Sequence, residues 1–186
     1  FFPHKRALRL FLRKKYSCIY GYTGYAEEKL GQDKVISSFP LGGFKQYIFT
    51  AKGKPVLTRI SQLQGLKVGG IFGDEEQVWF AAFKQAGIDY HLVEKIPQNV
   101  QKLMSDRIDA MVSFLPNAAE FLHLFSYPKG QPLLSEYDRM TCHDSELTRD
   151  YIRCISASLR QLKQNGTTRE ILGHFYLDGV FRLAGH

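Results

Sequence analysis

Three groups of residues have the types and spacing to do chemistry. Gly69, Gly70 and Gly73 follow an apolar run and precede a helical one, as a phosphate-cradling loop would. Glu94, 21 residues past Gly73, falls where a ribose-binding acid would sit. The spacing is nevertheless G-G-x-x-G and not G-x-G-x-x-G, and Asp74, Glu75 and Glu76 crowd the next helix N-terminus, where a pyrophosphate needs positive potential. A dinucleotide site is disfavoured. Cys142 and His143 could make a nucleophile and its base, but neighbours on a strand point to opposite faces, so they read as a part-buried thiol beside a surface imidazole. No G-x-S-x-G elbow occurs, and the six histidines show no i, i+4 pairing or other ligand spacing. The acid pairs Glu27-Glu28 and Glu75-Glu76 read as solvated. No catalytic residue, metal or cofactor is expected. The third group is Tyr16, Tyr20, Tyr22 and Tyr25: on a strand, Tyr20 and Tyr22 share a face, as in the floor of a ligand pocket or a packed core.

Composition narrows the class. The 186 residues are 44% hydrophobic and 23% charged, enough for one or two compact domains and too apolar for disorder. No apolar run is long enough to span a membrane. Of the net charge of +7, six units belong to Lys5, Arg6, Arg9, Arg13, Lys14 and Lys15, in a segment without an acid. The rest of the chain is nearly neutral, so a general nucleic-acid-binding surface is disfavoured. The three cysteines, Cys18, Cys142 and Cys154, are too few and scattered for a disulfide framework and leave the redox compartment open. Cys142 and Cys154 could bridge only if a strand and the following helix lie together. The chain starts at Phe1 with no visible signal peptide, and a fragment is expected.

The elements that must position these residues follow from periodicity. Residues 4–15 predict a helix with Ala7, Leu8, Phe11 and Leu12 on its inner side and Arg6, Arg9 and Arg13 outside. Residues 17–22 and 44–51 predict strands separated by the turn-rich stretch 31–34, and the small, polar stretch 52–55 marks a lobe boundary. Then strands at 67–72, 88–93 and 108–113 alternate with helices: one capped by Asp74 and Gln77 with Val78, Trp79, Ala82, Phe83 and Ala86 inward, one opened by Pro97 with Val100, Leu103 and Met104 inward, one opened by Pro116. That alternation predicts a parallel sheet with right-handed crossovers. Leu147, Tyr151, Ile155, Leu159 and Leu162 predict the inner face of a long helix ended by Asn165-Gly166, and Thr167 with Glu170 a last helix through Ile171, Leu172 and Phe175.

Several segments resemble family 3 extracellular solute-binding proteins. Ile60 to Gly69 (ISQLQGLKVG) resembles their "DLKGKKVGV" opening strand, and Val100 to Ala110 (VQKLMSDRIDA) their "L..GRVDA" helix and strand. Ile152 to Tyr176, with LRQLKQNGTTREILGHFY, is similar to their C-terminal signature, and Pro3 to Leu8 to a "P..RAL" helix. The resemblance implies an α/β, two-lobed flytrap of the periplasmic-binding-protein type, lacking the first strands of lobe one. Lobe one would take residues 1–52 and return at 138–186, and 56–130 would form lobe two on a parallel βαβ sheet. It also implies a periplasmic or exported monomer that captures a small molecule between its lobes for an ABC-type importer. A ligand-sensing input domain of a membrane signalling protein and a dehydratase-like enzyme using Glu28, Asp74 and Glu75 are the alternatives.

Carried over position by position, the implied ligand residues are Tyr22, Thr23, Tyr25, Ser38, Phe39, Gly73, Asp74, Glu75 and Phe114. Most depart from the amino-acid-binding pattern. The "iTpeR" arginine for a ligand carboxylate is missing from Thr23 to Glu28, the "G-T-T" cap reads Gly73-Asp74-Glu75, and the aspartate for an amino group aligns with Phe114. A carboxylate facing acids would lose on the order of several kcal/mol of pairing. An aromatic, cationic or hydroxyl-rich ligand is expected instead of an ordinary α-amino acid.

Overall fold

The computed structural model describes residues 4–173. Along the chain lie α1 (His4–Leu12), β1 (Cys18–Tyr20), α2 (Thr23–Leu30), β2 (Val35–Ser37), β3 (Gly42–Ala51), β4 (Lys67–Ile71), α3 (Phe80–Gln85), β5 (Asp89–Val93), α4 (Ile96–Met104), β6 (Ala110–Phe114), α5 (Leu115–Ala118), β7 (Phe125–Ser126), β8 (Leu134–Asp138), β9 (Met140–His143), α6 (Glu146–Gln164) and α7 (Thr167–Leu172). They fold as two compact units. Unit 1 takes the residues up to Phe44 and from Tyr137 onward, and unit 2 is Lys45–Glu136. Both passages between units fall inside strands, β3 and β8, whereas composition marks the first passage at the small, polar stretch 52–55.

Unit 2 shows the strand–helix alternation. Its sheet runs β5-β4-β6-β3-β7, with β4 parallel to both β5 and β6. The three strands expected to be parallel are so, and β3, expected in the other lobe, joins β6 antiparallel and carries β7, also antiparallel, on its other edge. Alternate residues feed two cores: Tyr47, Phe49 and Met111 pack with Val100 and Leu103, whereas Ile48, Ala110 and Val112 pack with Val68 and Phe83. A sheet buried on both faces explains near-continuous apolar strands such as Ala110–Phe114. The helix expected from Val78 is shorter. Asp74–Glu76 forms a 3-10 turn, α3 starts at Phe80, and Phe80 and Phe83 are the buried pair while Val78 and Ala82 face solvent. On α4, Met104 is exposed and Asn99 takes the inner place beside Val100 and Leu103.

Unit 1 is built on three short strands in the order β1-β9-β2, antiparallel throughout. Leu8 and Phe11 of α1 close a core with Ile19, Ala26 and Val35, as periodicity predicts for α1. α2 was not visible in the sequence, because Thr23–Leu30 holds a glycine and no apolar stripe. The inner face of α6 is also corrected: Thr148, Ile152 and Ser156 are buried, while Leu147, at 80% exposure, and Tyr151 point outward. Phe175, expected in the last helix, lies outside the described residues, as do Pro3 and Tyr176.

The sequence leaves the pairing of the cysteines open, and its reading of Cys142 as a part-buried thiol is corrected. Cys18 and Cys142 are directly opposed on β1 and β9 and form a disulfide; Cys154 is free and exposed. His143 N donates to Ser17 O one step along, so the cysteines occupy a non-hydrogen-bonded pair, where opposed side chains stand closest. His143 is no surface imidazole either. Its ring stacks on Phe11 with centroids 4.3 Å apart, and Nε2 lies 2.7 Å from Phe11 O.

Candidate functional site

In unit 2 the chain itself marks a site. From β4 it crosses to β5 on one side and returns to β6 on the other, so β4 and β6 diverge at their carboxyl ends, the switch point where open α/β sheets bind ligands. Phe72, Gly73, Asp74 and Glu75 follow β4, and Phe114 ends β6. The structure thus brings four of the expected residues, Gly73, Asp74, Glu75 and Phe114, to one end of one sheet. The Trp79 ring lies edge-on to Phe114 with centroids 6.4 Å apart, and Phe72, directly after β4, is 55% exposed.

The loop is held from below. Asp74 Oδ2 accepts from Ile71 N at 2.9 Å and from the Tyr90 hydroxyl at 3.1 Å, so Asp74 clasps the turn it follows and is not the helix cap its position suggested. Asn99, fully buried, donates from Nδ2 to Gly70 O at 2.8 Å. The two strand glycines make room for these supports. A Cβ on Gly70 would lie 2.2 Å from the Tyr90 ring, and one on Gly69 2.6 Å from Asn99 Oδ1. Gly73 has φ +106°, a left-handed conformation that disfavours any side chain. Its N–H donates to Glu75 Oε2 at 2.8 Å, so a carboxylate takes an amide that a phosphate would need. The glycines serve packing and a turn, which removes the ground for a dinucleotide loop.

Burial pushes the Asp74 carboxyl up to about 6, with Glu75 adding a smaller repulsion, against the hydrogen bonds from Ile71 and Tyr90 that favour the ion. Tyr90 is pushed well above the usual phenol range by burial and by the facing carboxylate. The turn therefore holds a buried carboxylate that titrates close to neutrality, against the Tyr90 hydroxyl. It can pair with a cation, accept hydrogen bonds, or hold a proton.

In unit 1 the expected residues divide between support and surface. β1 stops at Tyr20, Gly21 turns the chain at φ +70°, and Tyr22 is itself left-handed at φ 55°, so Tyr20 and Tyr22 do not share a strand face. Tyr20 donates to Asp138 at 2.7 Å, while Tyr22 and Tyr25 pack against the core. Thr23 and Ser37 both hydrogen-bond the buried Thr141 hydroxyl, at 2.7 and 3.1 Å. Ser38 is buried, donates to Phe39 O and accepts from Met140 N. The Thr23 and Ser38 hydroxyls are thus engaged by the fold. Phe39 N donates to Ser156 Oγ at 2.9 Å, and its ring carries Arg160 at 5.2 Å and Lys163 at 5.9 Å. Arg139 donates to Ser38 O at 3.0 Å.

Sequence reasoning missed these cations. It found no cationic anchor because Arg139 and Arg160 reach Ser38 and Phe39 from more than a hundred residues away. Nor did it find Tyr90 and Asn99 as supports of the end of β4 and the turn after it. A tyrosine two residues after an expected strand start, facing a strand glycine, was the available signal for Tyr90. Glu28, offered for catalysis, is exposed and paired with Lys29. No group of three or more His, Cys, Asp or Glu with metal-binding geometry occurs among the described residues, and none of their helices is long and apolar enough to cross a membrane.

No family model matches the sequence, and no curated protein does. Solved structures do. A mutant of ArgBP from T. maritima superposes with a TM-score of 0.68 at 19% identity, over 92% of this chain and 73% of that one. The substrate-binding protein of an amino acid ABC transporter gives 0.66 at 14% identity, over 94% of this chain and 77% of that one. An ancestral amino-acid-binding protein, a precursor of cyclohexadienyl dehydratase, gives 0.66 at 17%, over 91% of this chain and 72% of that one. With a mixed α/β architecture and a sheet in each of two units, the chain has the periplasmic-binding-protein fold, that of the amino-acid-binding proteins of ABC transporters.

Proposed function

We propose that the chain is a solute-binding receptor, periplasmic or exported, that captures a small molecule for an ABC-type importer. The observation that supports this most is the switch-point turn of unit 2, where Gly73, Asp74, Glu75 and Phe114 meet in a fold shared with amino-acid-binding proteins. The ligand carries a cationic or aromatic group toward this turn. Asp74 and Glu75 repel a carboxylate there, and Phe72, Trp79 and Phe114 offer ring faces and edges to a flat or cationic partner. The Cys18–Cys142 disulfide fits an oxidising compartment.

Thermal unfolding against polyamines, aromatic cations, amino acids and small sugars tests this. A true ligand at a hundredfold excess over its dissociation constant stabilises by about 2.7 kcal/mol, several degrees in midpoint. A shift with a cationic or aromatic compound is the expected result. Shifts confined to acidic amino acids, or none from any class, would refute the reading.

One observation favours a second reading, a dehydratase-like enzyme: Asp74 keeps its proton up to about pH 6 in a buried place, as a general acid must. Turnover of a prephenate-like acid that disappears in Asp74→Asn would establish it, and its absence in the wild-type protein would dismiss it.

A further inference from the structure

The first helix has two unlike sides. Its inner side, Leu8 and Phe11, is buried in the core of unit 1. Its outer side carries Arg6 and Arg9, and Arg13, just past the helix end with its N–H still donating to Arg9 O at 3.1 Å, continues the row at steps of three and four over roughly 10 Å. Lys14 and Lys15 extend the row through the turn that Lys14, at φ 56°, makes after the helix. All five are exposed, and Tyr16, exposed as well, follows directly.

Residues 1–15 contain no acid. On the neighbouring α2 and the turn after it, Glu28 is paired with Lys29 and Asp33 with Lys34. Among the described residues no carboxylate lies within ion-pair distance of Arg9, Arg13, Lys14 or Lys15. With the rest of the chain nearly neutral, the field is local and single-signed.

We propose that this face of unit 1 docks on an anionic lipid bilayer surface. The charge pattern carries the choice. Arg9, Arg13, Lys14 and Lys15, with no paired acid among the described residues to set a register, fit a continuous sheet of negative headgroups better than the mixed charges of a protein partner. Tyr16 offers the amphipathic ring found at headgroup depth. Because Leu8 and Phe11 belong to the core, the helix cannot insert, and the contact is electrostatic adsorption that salt reverses. This holds whatever solute the chain binds.

The test is sedimentation of the full chain with phosphatidylglycerol–phosphatidylcholine vesicles against phosphatidylcholine alone, at low and near-physiological salt. Binding is expected to the anionic vesicles only and to fall steeply with salt. Each cation contributes about fivefold, so Arg9→Gln/Arg13→Gln/Lys14→Gln/Lys15→Gln lowers partitioning on the order of a hundredfold or more. A thermal melt reports whether this variant folds; if it does not, Arg9→Gln/Arg13→Gln alone is expected to lose about 25-fold. Equal binding to both vesicle types, no binding, or folded variants that bind like the wild type would overturn the proposal. So would binding to polyglutamate but not to vesicles.

Discussion

Unit 1 and unit 2 reach order by different means. Unit 1 has strands of three and four residues, a core of a few side chains, and a dense set of bonds from small hydroxyls: Thr23 and Ser37 to Thr141, Ser38 to Met140, Thr148 to His143 O at 2.6 Å. Its disulfide ties positions 124 residues apart. Unit 2 contains no cysteine and packs aromatic and aliphatic side chains on both faces of its sheet. A small core buries too little apolar surface to stand alone, and a covalent tie is the common remedy.

The largest expected effect breaks this contrast directly. Cys18→Ala/Cys142→Ala lowers the stability of unit 1 by about 4–5 kcal/mol, from the loop-closure entropy of so long a separation. Hydrogen exchange resolves it by unit. Protection should collapse in β1, β9 and α1 and persist in β4 and β6. A uniform loss across both sheets would mean that unit 2 depends on the cross-link as well.

The second effect concerns a liability that unit 2 keeps. The folded Asp74 carboxyl titrates at about 6, above its ordinary value of 3.8, so the folded state favours its protonated form. Its contribution to stability is fully present below about pH 4, declines as pH rises through 6, and is absent above. Keeping the ion at neutral pH then costs up to about 3 kcal/mol. Asp74→Asn retains an oxygen that can accept from Ile71 and Tyr90 without that cost. It should be more stable than the wild type at pH 7.5 by about 1–3 kcal/mol, with the gap closing toward pH 4. The difference between the two curves isolates Asp74 from Asp138, whose carboxyl burial also pushes up. A carboxylate retained at such a cost points to use, so the variant should also lose the ligand response.

The contrast also governs what could be read in advance. Unit 2 was legible because its signals are local: strand, turn, helix and strand succeed one another. Unit 1 was not. Cys18 pairs with Cys142 through a sheet assembled from distant segments, β2 is too short to show a period, and α2 has no apolar stripe. α6 has two stripes at helical spacing, and the less apolar one faces inward. Thr148 and Ser156 lie there because small hydroxyls can meet His143 O and Phe39 N where α6 packs against β9 and β2, a demand that hydrophobicity does not reveal. At the candidate site, the family resemblance brought Asp74 and Phe114 forward, but whether a hydroxyl such as that of Ser38 faces a ligand or the fold depends on partners a hundred residues away.

The smallest expected effect sharpens the comparison where both units expose apolar side chains. Leu147 stands on the outer side of α6 in unit 1, and Phe72 follows β4 at the switch point of unit 2. Neither is packed into a core, so Leu147→Gln and Phe72→Ser should each change stability by less than about 0.5 kcal/mol. They separate in binding. Phe72 stands two residues before Asp74 in the switch-point turn, and its loss should weaken the response to the cationic or aromatic ligand severalfold, whereas Leu147→Gln should leave that response unchanged. Titration calorimetry of the two variants reads the difference. If Leu147→Gln weakened binding and Phe72→Ser did not, the ligand would be held by unit 1, and the switch-point turn would be a structural corner carrying an expensive carboxylate for some other reason.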